Sequence, residues 1–159
     1  MKEQSITHHT FTMERYFPAP PAKVFAAFSD PAKKQRWFGE ARTHDLELFD
    51  LEFREGGKES AHYRFRENSP FPGVMLTNDG VYQNIVPESR IMMSSVMSLG
   101  GRCISTSLAT FEFLEAADGG TDLLFTHHGA FLEGSGGPEM REMGWKTLFE
   151  RLTEEIARP

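Results

Sequence analysis

Residues 104–131 read ISTSLATFEFLEAADGGTDLLFTHHGAF, and residues 134–156 continue GSGGPEMREMGWKTLFERLTEEI. Two hydrophobic periods meet here. Ile104 to Leu114 and Thr121 to Phe131 alternate apolar and polar positions, the period of a strand. Asp118-Gly119-Gly120 joins them as a hairpin, because adjacent glycines allow the positive φ values that tight turns need. Gly134-Ser135-Gly136-Gly137 then interrupts the chain, and Pro138 is placed to open a helix. Beyond it Trp145, Leu148, Phe149, Leu152 and Ile156 fall on one helical face, while Glu142, Lys146, Glu150, Arg151 and Glu154 lie mainly elsewhere. This helix of about twenty residues would be roughly 30 Å long, enough to cross a domain. A strand meander closed by one long amphipathic helix is an α+β architecture.

Working toward the N-terminus, the meander extends. Arg90 to Met97 and Thr77 to Val86 read as strands about a Pro87-Glu88-Ser89 turn, with Gly100-Gly101 as a further turn or bulge. Asn68 to Gly73, NSPFPG, is a loop. Lys58 to Arg66 alternates Ala61, Tyr63 and Phe65 against Ser60, His62 and Arg64. Glu55-Gly56-Gly57 is a turn, and before it Leu46, Leu48, Leu51 and Phe53 read as one strand with a change of face near Asp50. Strand character begins at Thr43. With no helix between these strands, the sheet is expected to be antiparallel. Earlier still, Asp30-Pro31 ends one short helix, carrying Val24, Phe25 and Phe28 after Pro21, and caps a second, Ala32 to Phe38, that stops at Gly39. A first strand, Thr7 to Phe17, precedes the Pro18-Ala19-Pro20-Pro21 corner.

Length and charge narrow the function classes. The 159 residues suit a single domain spanning 1–159, and 39% hydrophobic content supports a packed core. The net charge of −6 argues against nucleic-acid binding and against a polybasic membrane contact. One cysteine, Cys103, cannot form an internal disulfide, and no apolar run reaches membrane-spanning length, so a cytoplasmic location without membrane insertion is expected. Fourteen Phe and eight Met supply side chains that either fill a core or line an adaptable apolar cavity.

Several stretches together resemble a known family. They are Arg15-Tyr16-Phe17-Pro18-Ala19-Pro20 with Val24-Phe25-Ala26-Ala27-Phe28, Ser29-Asp30-Pro31, Trp37-Phe38, Arg54-Glu55-Gly56-Gly57, Gly80-Val81-Tyr82 and Ile85-Val86-Pro87-Glu88-Ser89-Arg90, then Thr110-Phe111-Glu112-Phe113, Gly119-Gly120-Thr121 and Gly144-Trp145. Their order over residues 11–156 resembles the START-like (SRPBCC) superfamily, and within it the family of the C-terminal domain of the heat-shock protein 90 ATPase activator. The resemblance implies a helix-grip fold, a curved antiparallel sheet wrapped around the C-terminal helix with a cavity between them. Superfamily members bind lipids, sterols, polyketides or hormones there, and some catalyse cyclisation or hydrolysis.

No catalytic motif stands out: there is no HExxH, CxxC, G-x-S-x-G or phosphate loop, and no cofactor is implied. His127-His128 and His8-His9 would each point to opposite strand faces, which disfavours chelation by either pair, although the fold sets the two strands side by side. His127 shares parity with Leu123 and Phe125 and should face the helix, where it offers a polar group or a proton acceptor. His62 should face outward. Arg54 and Arg90 sit at turns and are expected to tie them to Glu52, Glu88 or carbonyls, and Cys103 beside Arg102 has no nearby histidine partner. Gly144 is expected to admit a close approach of sheet or loop beside Trp145. Cavity candidates by parity are Tyr63, Phe65, Met93, Met97, Phe111, Phe113, Phe125, His127, Met140, Trp145 and Phe149. Three functions follow: a binding module for a small hydrophobic or aromatic molecule, a partner and regulator of heat-shock protein 90, or an enzyme acting through His127 or a tyrosine. A homodimer is compatible with each.

Overall fold

A computed structural model describes residues 5–40 and 44–159. Strand β1 (Thr7–Phe17) leads into helix α1 (Pro21–Ser29) and the four-residue α2 (Pro31–Lys34). Strands β2 (His44–Leu51), β3 (Lys58–Phe65), β4 (Met75–Val86), β5 (Arg90–Leu99), β6 (Arg102–Glu115) and β7 (Thr121–Phe131) follow, and α3 (Pro138–Ile156) closes the chain. All seven strands form one antiparallel sheet in the order β1-β7-β6-β5-β4-β3-β2. Every consecutive pair from β2 to β7 is a neighbour, and β1 adds to β7 at the far edge. This is the curved sheet and closing helix of the helix-grip fold.

The local reasons are visible. Proline at the first position starts all three α-helices. The Asp30 carboxylate accepts from the Ala32 and Lys33 amides at 3.0 and 3.4 Å, so one residue both ends α1 and caps α2. The second helix is not uniform as expected over Ala32 to Phe38: it gives way after Lys34 to a π-helical turn, Gln35–Gly39. That wider turn accompanies the burial of Trp37, whose indole N–H donates to the Ala27 carbonyl at 2.8 Å.

Two further differences concern the sheet. β2 ends at Leu51, so Phe53 is not a strand residue; its ring packs edge-on against Phe25 and Tyr82 from the following turn. The irregularity in β2 lies between Leu46 and Leu48 rather than near Asp50, because the bulge is set by pairing with β3. The expected start at Thr43 lies outside the described residues. At the turn itself Gly57 is required by packing: a Cβ there would stand 2.1 Å from the Glu52 carbonyl oxygen.

The core lies between the sheet and the helices. Phe28, Trp37, Phe111, Phe125 and Phe149 are almost wholly buried, and Phe125 touches the Phe111, Trp145 and Phe149 rings at centroid separations of 4.6–5.2 Å. Phe149, Leu152 and Ile156 of α3 are buried as their helical period requires, while Trp145 and Leu148 are half-buried. Among the described residues no helix is long and apolar enough to cross a membrane.

Candidate functional site

α3 packs closest to the π-helical turn, β1 and α1, and stands off the middle of the sheet. Strand register brings a row of small inward residues under its N-terminal half: Gly129 pairs with Ser107, Ser107 with Ser95, and Ser95 with Gly80. The next row runs Phe131, Ser105, Met97, Asn78 and Ala61. Asn78, Ser95, Met97 and Ser107 occupy central strands on the helix side, yet all four are only half-buried. A central, helix-facing position that keeps solvent contact marks a groove between helix and sheet. In the first of these rows the side chains are short; at the opposite end of the sheet phenylalanines fill the same layer.

Polar groups converge on the groove. The Arg141 guanidinium, one turn into α3, donates to Ser105 Oγ at 2.6 Å and to Met97 Sδ at 3.3 Å, and its Cζ lies 5.3 Å from the centre of the Phe131 ring. The Ser95 and Ser107 hydroxyls bond each other at 2.9 Å. His127 is 1% exposed, and its Nδ1 is buried without a hydrogen-bond partner. Its ring stacks on Phe11 at 4.8 Å and on Phe131 at 6.1 Å. Burial, and then the positive charge of Arg141, pulls the His127 pKa down to about 4, against a smaller upward pull from its own backbone. His127 is therefore neutral near pH 7. The other ionisable side chains acting on it are those of His128 and His9, so among the described residues no carboxylate acts on it as an acid–base partner.

The sequence-derived cavity residues are distributed rather than gathered. Met97 lies in the partly uncovered row and meets Arg141, whereas His127 is buried against Phe11 and Phe131, and Trp145 packs on Phe38, Phe111, Phe125 and Phe149. Met93 is buried, its Cε 2.5 Å from where a Cβ on Gly80 would stand. Phe111, Phe125 and Phe149 form the packed core under Trp145, and Phe113 belongs with Phe25 and Phe28 farther along. Tyr63 and Phe65 sit with His44 near the β2 edge, where the Tyr63 hydroxyl donates to the Phe38 carbonyl at 3.5 Å and burial raises its pKa. Met140 is 64% exposed. A Cβ at Gly144 would meet nothing within 4 Å, so close approach is not the reason for a glycine there.

The remaining candidates have structural partners. Arg54 pairs with Glu52 at 3.0 Å as expected, while Arg90 donates to Asn84 Oδ1 at 2.7 Å rather than to Glu88. His62 faces outward and pairs with Asp79 at 2.9 Å. His128 Nδ1 lies 2.7 Å from Thr10 Oγ1 across β1 and β7, on the face opposite His127. Among the described residues no group of three or more His, Cys, Asp or Glu is placed to hold a metal ion. An open outer-face groove of about 550 Å³ is bordered by His8, Thr10, Ser94, Val96, Thr106 and His128. Within it Thr10 bonds His128, and Ser94 and the adjoining Asp79 bond Gln83 and His62.

Sequence reasoning passed over two features. Arg141 lies four residues before Trp145, and Ser105 shares parity with Phe111, so both were recoverable from the same periods. The second is a buried triad: Lys34 Nζ reaches Glu59 Oε1 at 2.8 Å, and the Tyr82 hydroxyl donates to the same oxygen at 2.7 Å. Nothing local in the sequence pairs Lys34 with Glu59.

The seven-stranded antiparallel sheet closed by α3 is the fold of a START-like domain. The sequence profile of activator of Hsp90 ATPase homolog 1-like proteins matches residues 18–157, and the chain belongs to that family. An uncharacterised protein of Rhizobium leguminosarum is similar at 34% identity over 98% of both chains, with a TM-score of 0.88. Mll3558 of Rhizobium loti is 36% identical over 96% of this chain and 99% of its own, with a TM-score of 0.81. An AHSA1-like protein of Aeromonas hydrophila shares the fold at 18% identity, covering 93% and 92% of the two chains, with a TM-score of 0.67. No curated protein matches the chain.

Proposed function

We propose that this protein binds a small, mainly apolar or aromatic molecule in the groove between the N-terminal half of α3 and the concave face of the sheet. The observation that carries this reading is the half-burial of Asn78, Ser95, Met97 and Ser107 at central, helix-facing positions. The half-buried Trp145 supplies an aromatic wall, and Arg141, Ser95 and Ser107 supply the few polar groups that orient a ligand. Binding rather than turnover is favoured because His127 lacks an acid partner and is neutral.

Thermal-shift titration against aromatic acids, flavonoids, polyketide-like compounds and lipids tests the reading. A ligand at a hundred times its Kd stabilises by about 2.7 kcal/mol. Ser95→Phe fills the groove and should abolish the shift while the unliganded protein still melts cooperatively. A shift that survives Ser95→Phe places binding elsewhere. The second reading, regulation of heat-shock protein 90, rests on the family match to the ATPase activator homologues. Stimulation of the chaperone's ATPase by this chain, unaffected by Ser95→Phe, would favour it.

A further inference from the structure

We infer that Arg141 is the anchor for an anionic oxygen group, so that the groove takes an organic acid: an apolar body ending in a carboxylate or sulfonate. The inference rests on the binding role proposed for the groove. Arg141 carries five N–H donors, yet the acceptors it meets are a hydroxyl and a thioether, both uncharged. It takes part in no ion pair among the described residues, although Glu139 and Glu142 are close along α3. A guanidinium drawn from water without a counter-ion is unfavourable unless something else supplies the negative charge. Among the described residues the arginines that pair with a carboxylate do so at the surface or at the C-terminal end of α3, whereas Arg141 turns inward over Phe131.

A second observation points the same way. His127 Nδ1 is buried and unpartnered, and His127 and Arg141 both lie against the Phe131 ring. Ser105, the cross-strand neighbour of Phe131, holds its Oγ 2.6 Å from the guanidinium, so an acid group held by Arg141 meets a hydroxyl donor beside it. A neutral histidine there leaves the single positive charge of Arg141 to set the ligand's sign. A planar carboxylate matches the forked guanidinium through two parallel hydrogen bonds, which a neutral amide or ester cannot reproduce.

A matched pair of fluorescent probes tests this: anilinonaphthalene sulfonate, and its parent anilinonaphthalene lacking the sulfonate. Both should bind the wild-type protein, and Ser95→Phe should weaken both. Arg141→Gln should lower the affinity for the sulfonate about tenfold or more beyond any change for the parent, the worth of one charge-assisted hydrogen bond. Arg141→Gln should also keep or raise the melting temperature, since it removes an uncompensated charge; Arg141→Lys should retain part of the preference. Parallel loss of both probes with a lower melting temperature would make Arg141 a structural clamp and overturn the anchor. Parent binding that needs the groove, with no sulfonate penalty in Arg141→Gln, would overturn the anchor but leave the binding role standing. If neither probe binds, or neither responds to Ser95→Phe, the binding role fails and the anchor with it.

Discussion

The triad of Lys34, Glu59 and Tyr82 gives the sharpest test of how this fold handles buried charge. Lys34 is 2% exposed and Glu59 3%, their charged atoms are 2.8 Å apart, and Tyr82 at 1% exposure donates to the same carboxylate oxygen. The Phe28, Trp37 and Phe38 rings lie 4.7–5.7 Å from the ammonium. Two opposite charges at this distance attract by about 6 kcal/mol at an effective dielectric of about 20, and most of that offsets their own desolvation. Glu59→Gln keeps the shape and removes one charge, leaving a buried ammonium with only rings and an amide oxygen. The expected cost is about 3–5 kcal/mol. Tyr82→Phe, which removes one neutral donor to a charged acceptor, should cost about 1.5–3 kcal/mol. The triple variant Lys34→Met, Glu59→Leu, Tyr82→Phe removes every polar atom together and should recover most of the Glu59→Gln loss. Guanidinium titration with linear extrapolation measures each value, the slope staying constant across the set. A Glu59→Gln loss under about 1 kcal/mol would refute the reasoning. So would a triple variant as unstable as the single one.

Two further outcomes follow from the groove and the core beneath it. His127 has its pKa lowered from 6.5 to about 4 in the folded protein, so the unfolded chain takes up its proton first as the pH falls. The stabilisation is therefore full above about pH 6.5 and is lost on acidification down to about pH 4, amounting to about 3 kcal/mol over the window. Between pH 7 and pH 4.5 the wild-type protein should lose about 2 kcal/mol more than His127→Phe, read from paired denaturant titrations; equal slopes would mean the imidazole is solvated. Phe125→Ala, at a wholly buried site touching Phe11, Phe111, Trp145 and Phe149, should cost about 3–5 kcal/mol, and Trp145→Ala, half-buried beside the groove, about 2–3 kcal/mol. The reverse order would mean that Trp145, not Phe125, is the centre of the core.

Strand parity told which way most side chains point. Leu123, Phe125 and His127 face the helix, and His62 and His128 face away, because alternation along a strand is a local property of the backbone. The same holds for the proline-led helices, the Asp30 cap and the glycine turns, each decided by a few adjacent residues. Where neighbours in space intervened, local reading stopped. The bulge between Leu46 and Leu48 depends on β3, the π-helical turn accompanies the burial of Trp37, and Phe53 leaves the sheet to meet Phe25 and Tyr82.

The site divides in the same way. That Met97, His127 and Trp145 point inward was within reach of periodicity, and the family was legible from dispersed short stretches. Periodicity gives a residue's side of the sheet but not its distance from the helix opposite, so it could not separate the filled end at Phe111, Phe125 and Phe149 from the open end at Ser95 and Ser107. The charge pairing was equally hidden. Lys34 finds Glu59 across 25 residues, while Arg141 comes to rest against Ser105 and Met97 with no carboxylate. The sequence by itself determined the strands and α-helices, their order along the chain and most of their buried faces, all of which follow from neighbours along the chain. Only the tertiary structure decided where α3 stands off the sheet and which charges meet, because both depend on packing between segments far apart in sequence.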